Sequence, residues 1–316
     1  DQLQTRLKLP FNLYDGQRFS SLFKLLNIFR MCLGLFYFKY LSKSGKTVSE
    51  HYQKVFGKRN YEKVLKHAFN GVLSQEAETF PAELLFKSRI RNKNYPRSFT
   101  LKGGLKALLK AIVETRKFEI HLEEEVLGFS KEGDVWQVQG REAYTAKKLI
   151  LATPLSVASK LVVSAGYNFE GDQLTRAQCS SIKTLGVVVK KTKLSRFPLL
   201  AGAIGIDQPF YSMVSRDVLS HDQYRGFVFH FKDRVDFDVK KNESYALKVL
   251  GVNQIDLVDK VWISQSLPMM DLRLMKQIEV IGQSLQKENL YLVGNYFSRL
   301  ALEDCVKQSK KIVSLL

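Results

Sequence analysis

The chain has 316 residues, of which 45% are hydrophobic and 25% charged; 19 are Gly and 7 Pro. That composition supports a sizeable core and excludes collagenous and low-complexity chains. Lys and Arg number 49 against 31 Asp and Glu, a net charge of +18, which argues against an acidic cavity for a cationic substrate and suits anionic lipid, nucleic acid or an anionic small molecule.

The three cysteines, Cys32, Cys179 and Cys305, are far apart, and the five histidines show no HExxH spacing. Neither a disulfide framework nor a metal site is expected, and a reducing, cytoplasmic compartment is the default. The start Asp1-Gln2-Leu3-Gln4 is neither a signal peptide nor an initiating methionine, so the chain is expected to be a processed product or a piece of a longer one. No apolar run approaches the roughly 20 residues that span a bilayer.

Residues 19–41 are dense in apolar side chains, with Lys24, Asn27 and Arg30 three apart. The spacing predicts a helix with one narrow polar stripe. Such a helix packs into a core or lies in a membrane interface with Lys24, Arg30 and Lys39 at the headgroups; the sequence leaves both open. Thr47 or Ser49 can cap a further helix that begins near Val48, with Glu50 in its first turn. Gly57 ends it, and two more helical pieces are expected over 61–69 and 76–86, broken at Gly71. Ser44-Gly45-Lys46-Thr47 looks like the end of a phosphate loop, but Tyr40 stands where the earlier glycine is required.

Beyond Pro96, Gly103-Gly104 precedes a helix over 105–115. Short strands are expected over 118–122, 126–131, 135–139, 142–146 and 148–152, and the apolar run Leu149-Ile150-Leu151-Ala152 reads as a strand buried on both faces of a parallel sheet. A helix follows from Ser156. Residues 181–231 are rich in strands, followed by a helix over 243–250, a strand over 258–266 and a helix over 272–285. The run Leu290–Val293 then meets Gly294-Asn295, and a last helix starts near Leu302.

Two places carry a buried strand, a turn and a helix start: Leu149–Pro154 and Leu290–Asn295. In α/β folds ligands sit at such carboxyl ends of strands, where helix N-termini offer free N–H groups. The ordered series Gly103-Gly104-Leu105, Val126, Trp136, Ala152-Thr153-Pro154, Trp262 with Pro268, and Gly294-Asn295 before a final helix resembles the flavin-dependent amine oxidase superfamily, and within it the protoporphyrinogen oxidase-like branch.

The resemblance implies an α/β fold of mixed α+β content. A partial FAD-binding, Rossmann-like domain (99–160 and 272–316) would be interleaved with a substrate domain, helical over 1–98 and a mixed sheet over 161–271. It implies FAD as cofactor. Val126 would meet the adenine, Ala152 and Pro154 the dinucleotide, and Gly294 and Asn295 the pyrophosphate. Leu302, Glu303 and Asp304 would open the helix aimed at the isoalloxazine ring, its dipole favouring negative charge on the reduced flavin. The departure is equally plain: the chain has no GxGxxG fingerprint, so this chain alone is expected to bind FAD poorly.

The expected activity is hydride removal from an apolar or anionic small molecule, with Phe210, Tyr211, Phe229 and Trp262 lining its pocket and Arg89, Arg91 and Arg97 as candidates to hold carboxylates. No catalytic acid or base is identifiable. The other reading is a non-catalytic relative that serves as an interaction or membrane-surface module. An anionic membrane is a candidate partner; nucleic acid is not expected, because the basic residues are not interleaved with aromatics on one element.

Overall fold

The computed structural model describes residues 3–38, 40–86, 90, 92–115, 117–167, 179–298 and 301–316. The N-terminal part holds β1 (Leu3–Thr5), β2 (Phe11–Tyr14), β3 (Phe19–Ser21), α1 (Ile28–Phe38), α2 (Val48–Phe56), α3 (Lys58–Asn60) and α4 (Lys66–Leu73). Next come β4 (Phe99–Leu101), α5 (Lys106–Glu114), β5 (Gly128–Glu132), β6 (Val135–Gln139), β7 (Ala143–Ala146), β8 (Leu149–Leu151) and α6 (Leu155–Ser164). Then follow β9 (Cys179–Lys190), β10 (Gly202–Gly205), β11 (Phe210–Ser215), β12 (Tyr224–Lys232), α7 (Val239–Leu250) and β13 (Leu257–Pro268). The chain closes with α8 (Leu272–Gln286), β14 (Leu290–Leu292), α9 (Asn295–Ser298) and α10 (Leu302–Val313).

The largest sheet has the order β13-β9-β12-β11-β10-β2-β3. Its pairs are antiparallel except β10 with β2. The two-residue period of a strand separates its faces. In β12, Arg225, Phe227, Phe229 and Phe231 are buried while the alternate residues are half-buried. The buried set shares a core with Ala246, Leu247, Val249 and Leu250 of α7. On the opposite face α4 packs against β10 and β11, where Val64 and Ala68 share a small core with Leu13 and Ile204.

A second core joins the helical layer to the rest of the chain. Val48, Tyr52, Tyr61 and Phe69 pack with Trp136, Leu155, Ile278, Leu290 and Tyr296. The helices of 48–73 therefore lie between the large sheet and a smaller α/β part. In that part β5, β6 and β7 form an antiparallel meander, and β8 pairs in parallel with β14, Leu149 opposite Leu290 and Leu151 opposite Leu292. The fold class is α/β with mixed α+β content.

Several local expectations are corrected. Residues 1–98 are not simply helical: β2 and β3 extend the large sheet, and β1 pairs with β4. The apolar stretch of 19–41 begins as β3 and a tight turn, and only Ile28–Phe38 is α-helical. Gly71 does not break a helix. It lies inside α4, where a Cβ would meet Cγ1 of Ile204 at 3.2 Å and the Tyr211 carbonyl oxygen at 3.3 Å; its smallness lets the helix approach the sheet. The helix ends instead at Ser74, in the left-handed conformation. Residues 76–86 contain only a short turn at Ala82–Leu84, and 118–122 form no strand. Ile150 is 40% exposed, so β8 is buried on one face only, because among the described residues nothing covers its outer side.

The start of α2 matches its sequence signature. The Thr47 N–H donates to Glu50 Oε2 at 2.8 Å and the Glu50 N–H to Thr47 Oγ1 at 3.2 Å, a reciprocal capping box.

Candidate functional site

The carboxyl ends of the parallel strands β8 and β14 open onto one cavity of about 260 Å³. Ala152, Thr153 and Pro154 form one wall as the chain passes into α6. Gly294 and Asn295 form another as it passes into α9. The far ends of β9 and β13 contribute Cys179, Ser266 and Pro268. The strand ends are locked together: the Val293 N–H donates to the Leu151 carbonyl at 3.0 Å. Ala152, Pro154, Gly294 and Asn295 thus meet in space because a parallel pair aligns two distant strand-turn-helix junctions.

Two observations bear on whether a dinucleotide fits there. The Thr153 hydroxyl is buried without a hydrogen-bond partner among the described residues, and an orphaned polar atom at a cavity wall suits a polar ligand atom. Asn295 adds an amide that can donate and accept, and Ser156 and Ser266 add hydroxyls at the same cavity. The residues present therefore fit a polar cofactor segment at this point.

Gly294 itself answers to packing. A Cβ there would lie 2.4 Å from Cε1 of Tyr296. That ring is 1% exposed, and its hydroxyl donates to the Val293 carbonyl at 3.2 Å. Burial pushes the Tyr296 phenol well above its ordinary range.

The remaining cofactor candidates stand apart from this cavity. Val126 is exposed, in the segment before β5, beside the acidic run Glu123–Glu125. Leu302 and Glu303 are exposed at the start of α10, with Glu303 paired to Lys307 at 3.2 Å; Asp304 is buried and its N–H donates to the Ala301 carbonyl. None of the four lines the cavity between β8 and β14.

The aromatic substrate candidates require correction. Phe210 and Phe229 are fully buried on the α7 side of the large sheet, in a continuous aromatic core with Phe231. Trp262 lies on the same side, 5.6 Å from the Phe231 ring centroid, and its indole N–H donates to Glu243 Oε2 at 3.3 Å. Strand alternation turns these rings into the core. Tyr211 departs from this pattern: Lys232 Nζ lies 5.1 Å from its ring centroid, and burial pushes its phenol up to about 12. Arg97 is exposed; Arg89, Arg91 and Lys39 lie outside the described residues.

The alternate strand positions line a second cavity, of about 600 Å³, between α4 and the opposite face of the sheet. Its walls are mostly apolar, including Phe11, Leu22, Phe69, Phe86 and Val214, with Ser74, Ser212 and His230 as polar members. His230 Nδ1 lies 3.2 Å from Thr184 Oγ1. Burial, helped by Arg216, holds the imidazole below its ordinary pKa, so it is neutral at pH 7. Sequence reading missed this cavity because its walls come from β2, α4 and β10–β12. The one available signal was the alternation of residue types along β12, which sets Val228 and His230 on the row opposite Phe227, Phe229 and Phe231.

In part of its sequence and in its fold the chain is similar to flavin-containing amine oxidoreductases. Residues 38–190 match the family model of flavin containing amine oxidoreductase. A putative protoporphyrinogen oxidase from Exiguobacterium sp. 255-15 superposes with a TM-score of 0.79 at 14% identity, over 99% of this chain and 81% of that one. Wild-type putrescine oxidase bound to putrescine gives 0.65 at 11% identity, over 99% and 82%. Reduced UDP-galactopyranose mutase gives 0.67 at 13% identity, over 94% and 73%. No curated protein sequence matches the chain. The family match covers just under half of the chain, and over nearly its whole length the fold is similar to that of the protoporphyrinogen oxidase-like structure.

Proposed function

We propose that the chain forms the substrate-binding part and one side of the cofactor site of an FAD-dependent oxidoreductase. The observation that carries this reading is the cavity at the ends of β8 and β14, with its orphaned Thr153 hydroxyl and Asn295 amide. Those two side chains would hold a polar part of FAD, and the bound flavin would accept a hydride from the substrate. The apolar cavity between α4 and the sheet would orient the substrate and exclude water, with neutral His230 and Ser212 as its polar contacts. A surplus of positive charge and apolar walls favour an anionic or apolar substrate over a polyamine.

The chain has no glycine fingerprint to cradle a pyrophosphate. Leu105, Leu109, Ile112, Leu122, Leu127 and Ile150 are exposed in the same α/β part, a surface suited to packing against a further βαβ unit. The test is the absorbance spectrum of the purified chain, and of a longer chain carrying such a unit, each saturated with FAD. Flavin bands are expected to persist after desalting in the longer chain only. There Asn295→Ala should weaken binding by about 1–3 kcal/mol. Unchanged affinity would sink the Asn295 assignment; no flavin in either chain would favour a non-catalytic module.

A membrane surface is the partner that α1 supports. Gly34 is buried against α2, and the Arg30 guanidinium donates to the Lys54 carbonyl at 3.2 Å, so the helix is held in place. Its outer side carries Ile28, Phe29 (76% exposed), Leu33, Phe36 (74% exposed) and Tyr37, with Phe23 and Lys24 exposed on the preceding turn. No described helix is long and apolar enough to cross a membrane, so this side would lie in the interface, aided by attraction between the +18 chain and anionic headgroups. Vesicle sedimentation should rise with anionic lipid, fall with salt, and drop for Phe36→Asp with folding intact. No association with strongly anionic vesicles at low salt would remove the membrane from the account.

A further inference from the structure

One side of α7 presents Lys241, Tyr245 and Lys248 at helical spacing, and the chain leaving β12 folds back over it with Lys232, Arg234 and Phe237. Between them lies a cavity of about 310 Å³ that shares no residue with either cavity described above. Its lining holds four cations, Lys232, Arg234, Lys241 and Lys248, against one carboxylate, Asp236.

None of these cations is ion-paired among the described residues, although lysines elsewhere on the same sheet and its helices are. Lys183 pairs with Asp233, Lys193 with Asp256, Lys260 with Glu243 and Lys66 with Glu78. Lys232 is half-buried over the Tyr211 ring, and burial together with Arg234 holds its pKa below the ordinary lysine value. Glu76 and Asp207 oppose that shift from nearby without bonding it. Phe237 and Pro209 supply an apolar wall, and the Tyr245 hydroxyl is already engaged with Gln208. Cations that line one cleft without carboxylate partners can share a multivalent anion.

We propose that this cleft binds a phosphate-class anion, with the cations on its phosphoryl oxygens and Phe237 and Pro209 against any ring it carries. The site is distinct from that of the flavin and does not depend on the oxidoreductase reading.

The test is isothermal titration of the chain at low salt with inorganic pyrophosphate and, separately, phenyl phosphate. One saturable site per chain is expected, weakening as salt rises. The exposed Lys241→Glu and Lys248→Glu changes, made together and checked for unchanged circular dichroism, should lower affinity at least about tenfold for both probes. Tighter binding of pyrophosphate identifies a free oligophosphate as the class of ligand, and tighter binding of phenyl phosphate one with a ring; either supports the site. Absence of saturable binding at millimolar probe, or affinity untouched by the double charge reversal, overturns it.

Discussion

Replacing Gly294 by Ala tests whether that glycine is demanded by packing. The new Cβ would lie 2.4 Å from Cε1, 2.9 Å from Cδ1 and 3.0 Å from Cζ of Tyr296. The ring has no room to retreat: it is buried with Leu290 and Ile281, and its hydroxyl is tied to the Val293 carbonyl. Forcing a methyl group into such a site typically costs about 1–3 kcal/mol, and losing the phenolic hydrogen bond adds about 1 kcal/mol. Gly294→Ala should therefore destabilise the chain by about 2–4 kcal/mol, read from urea unfolding midpoints at constant slope. The cause is separable by a double-mutant cycle. In a Tyr296→Leu background the same Gly294→Ala change should cost less than about 1 kcal/mol, since the clashing ring atoms are gone. An equal cost in both backgrounds, or a wild-type midpoint for the single variant, would refute the packing argument. The effect must also appear in flavin-free protein.

Asp217 and Arg225 form a buried pair in which Arg225 Nε donates to Oδ1 at 2.8 Å, while the guanidinium also donates to the Phe197 and Pro198 carbonyls and lies between the Phe197 and Phe227 rings. Asp217→Ala leaves that cation buried and should cost about 3–5 kcal/mol, seen in the same unfolding assay; a loss under about 1 kcal/mol would mean that water reaches the pair. Thr47→Ala removes the cap of α2 and should cost about 1 kcal/mol, with Glu50→Ala largely non-additive to it. His51, His67 and His230 are all held below the ordinary histidine pKa, mainly by burial. Unfolding therefore takes up protons, so stability is complete above about pH 7 and falls as pH drops below about 6.5. Urea midpoints at about pH 7.5, 6 and 5 should show this decline before the carboxylates titrate, and His230→Gln should shrink it; a flat profile would contradict the burial of these imidazoles.

The two junctions of the candidate cofactor site were readable because their signals are local. An apolar run stopped by Thr153-Pro154 or Gly294-Asn295 and followed by a helix is decided by neighbouring residues, as is the Thr47–Glu50 cap. Alternation is local too, as Phe227, Phe229 and Phe231 of β12 show. What alternation does not say is which row meets a helix and which a cavity. Phe210, Phe229 and Trp262 are as apolar as any pocket lining, and only the docking of α7 on their side makes them core and leaves His230 to the other face. Gly71 looks like a helix breaker in isolation, and only Ile204 on a facing strand turns it into a contact point. The strands β1 and β2 carry three or four residues each, too few to announce themselves, and their partners Leu101 and Gly202 are distant in sequence. Local backbone preference and periodicity are written along the chain, whereas the choice of covering surface is a long-range packing free energy that exists only once the chain has folded back on itself.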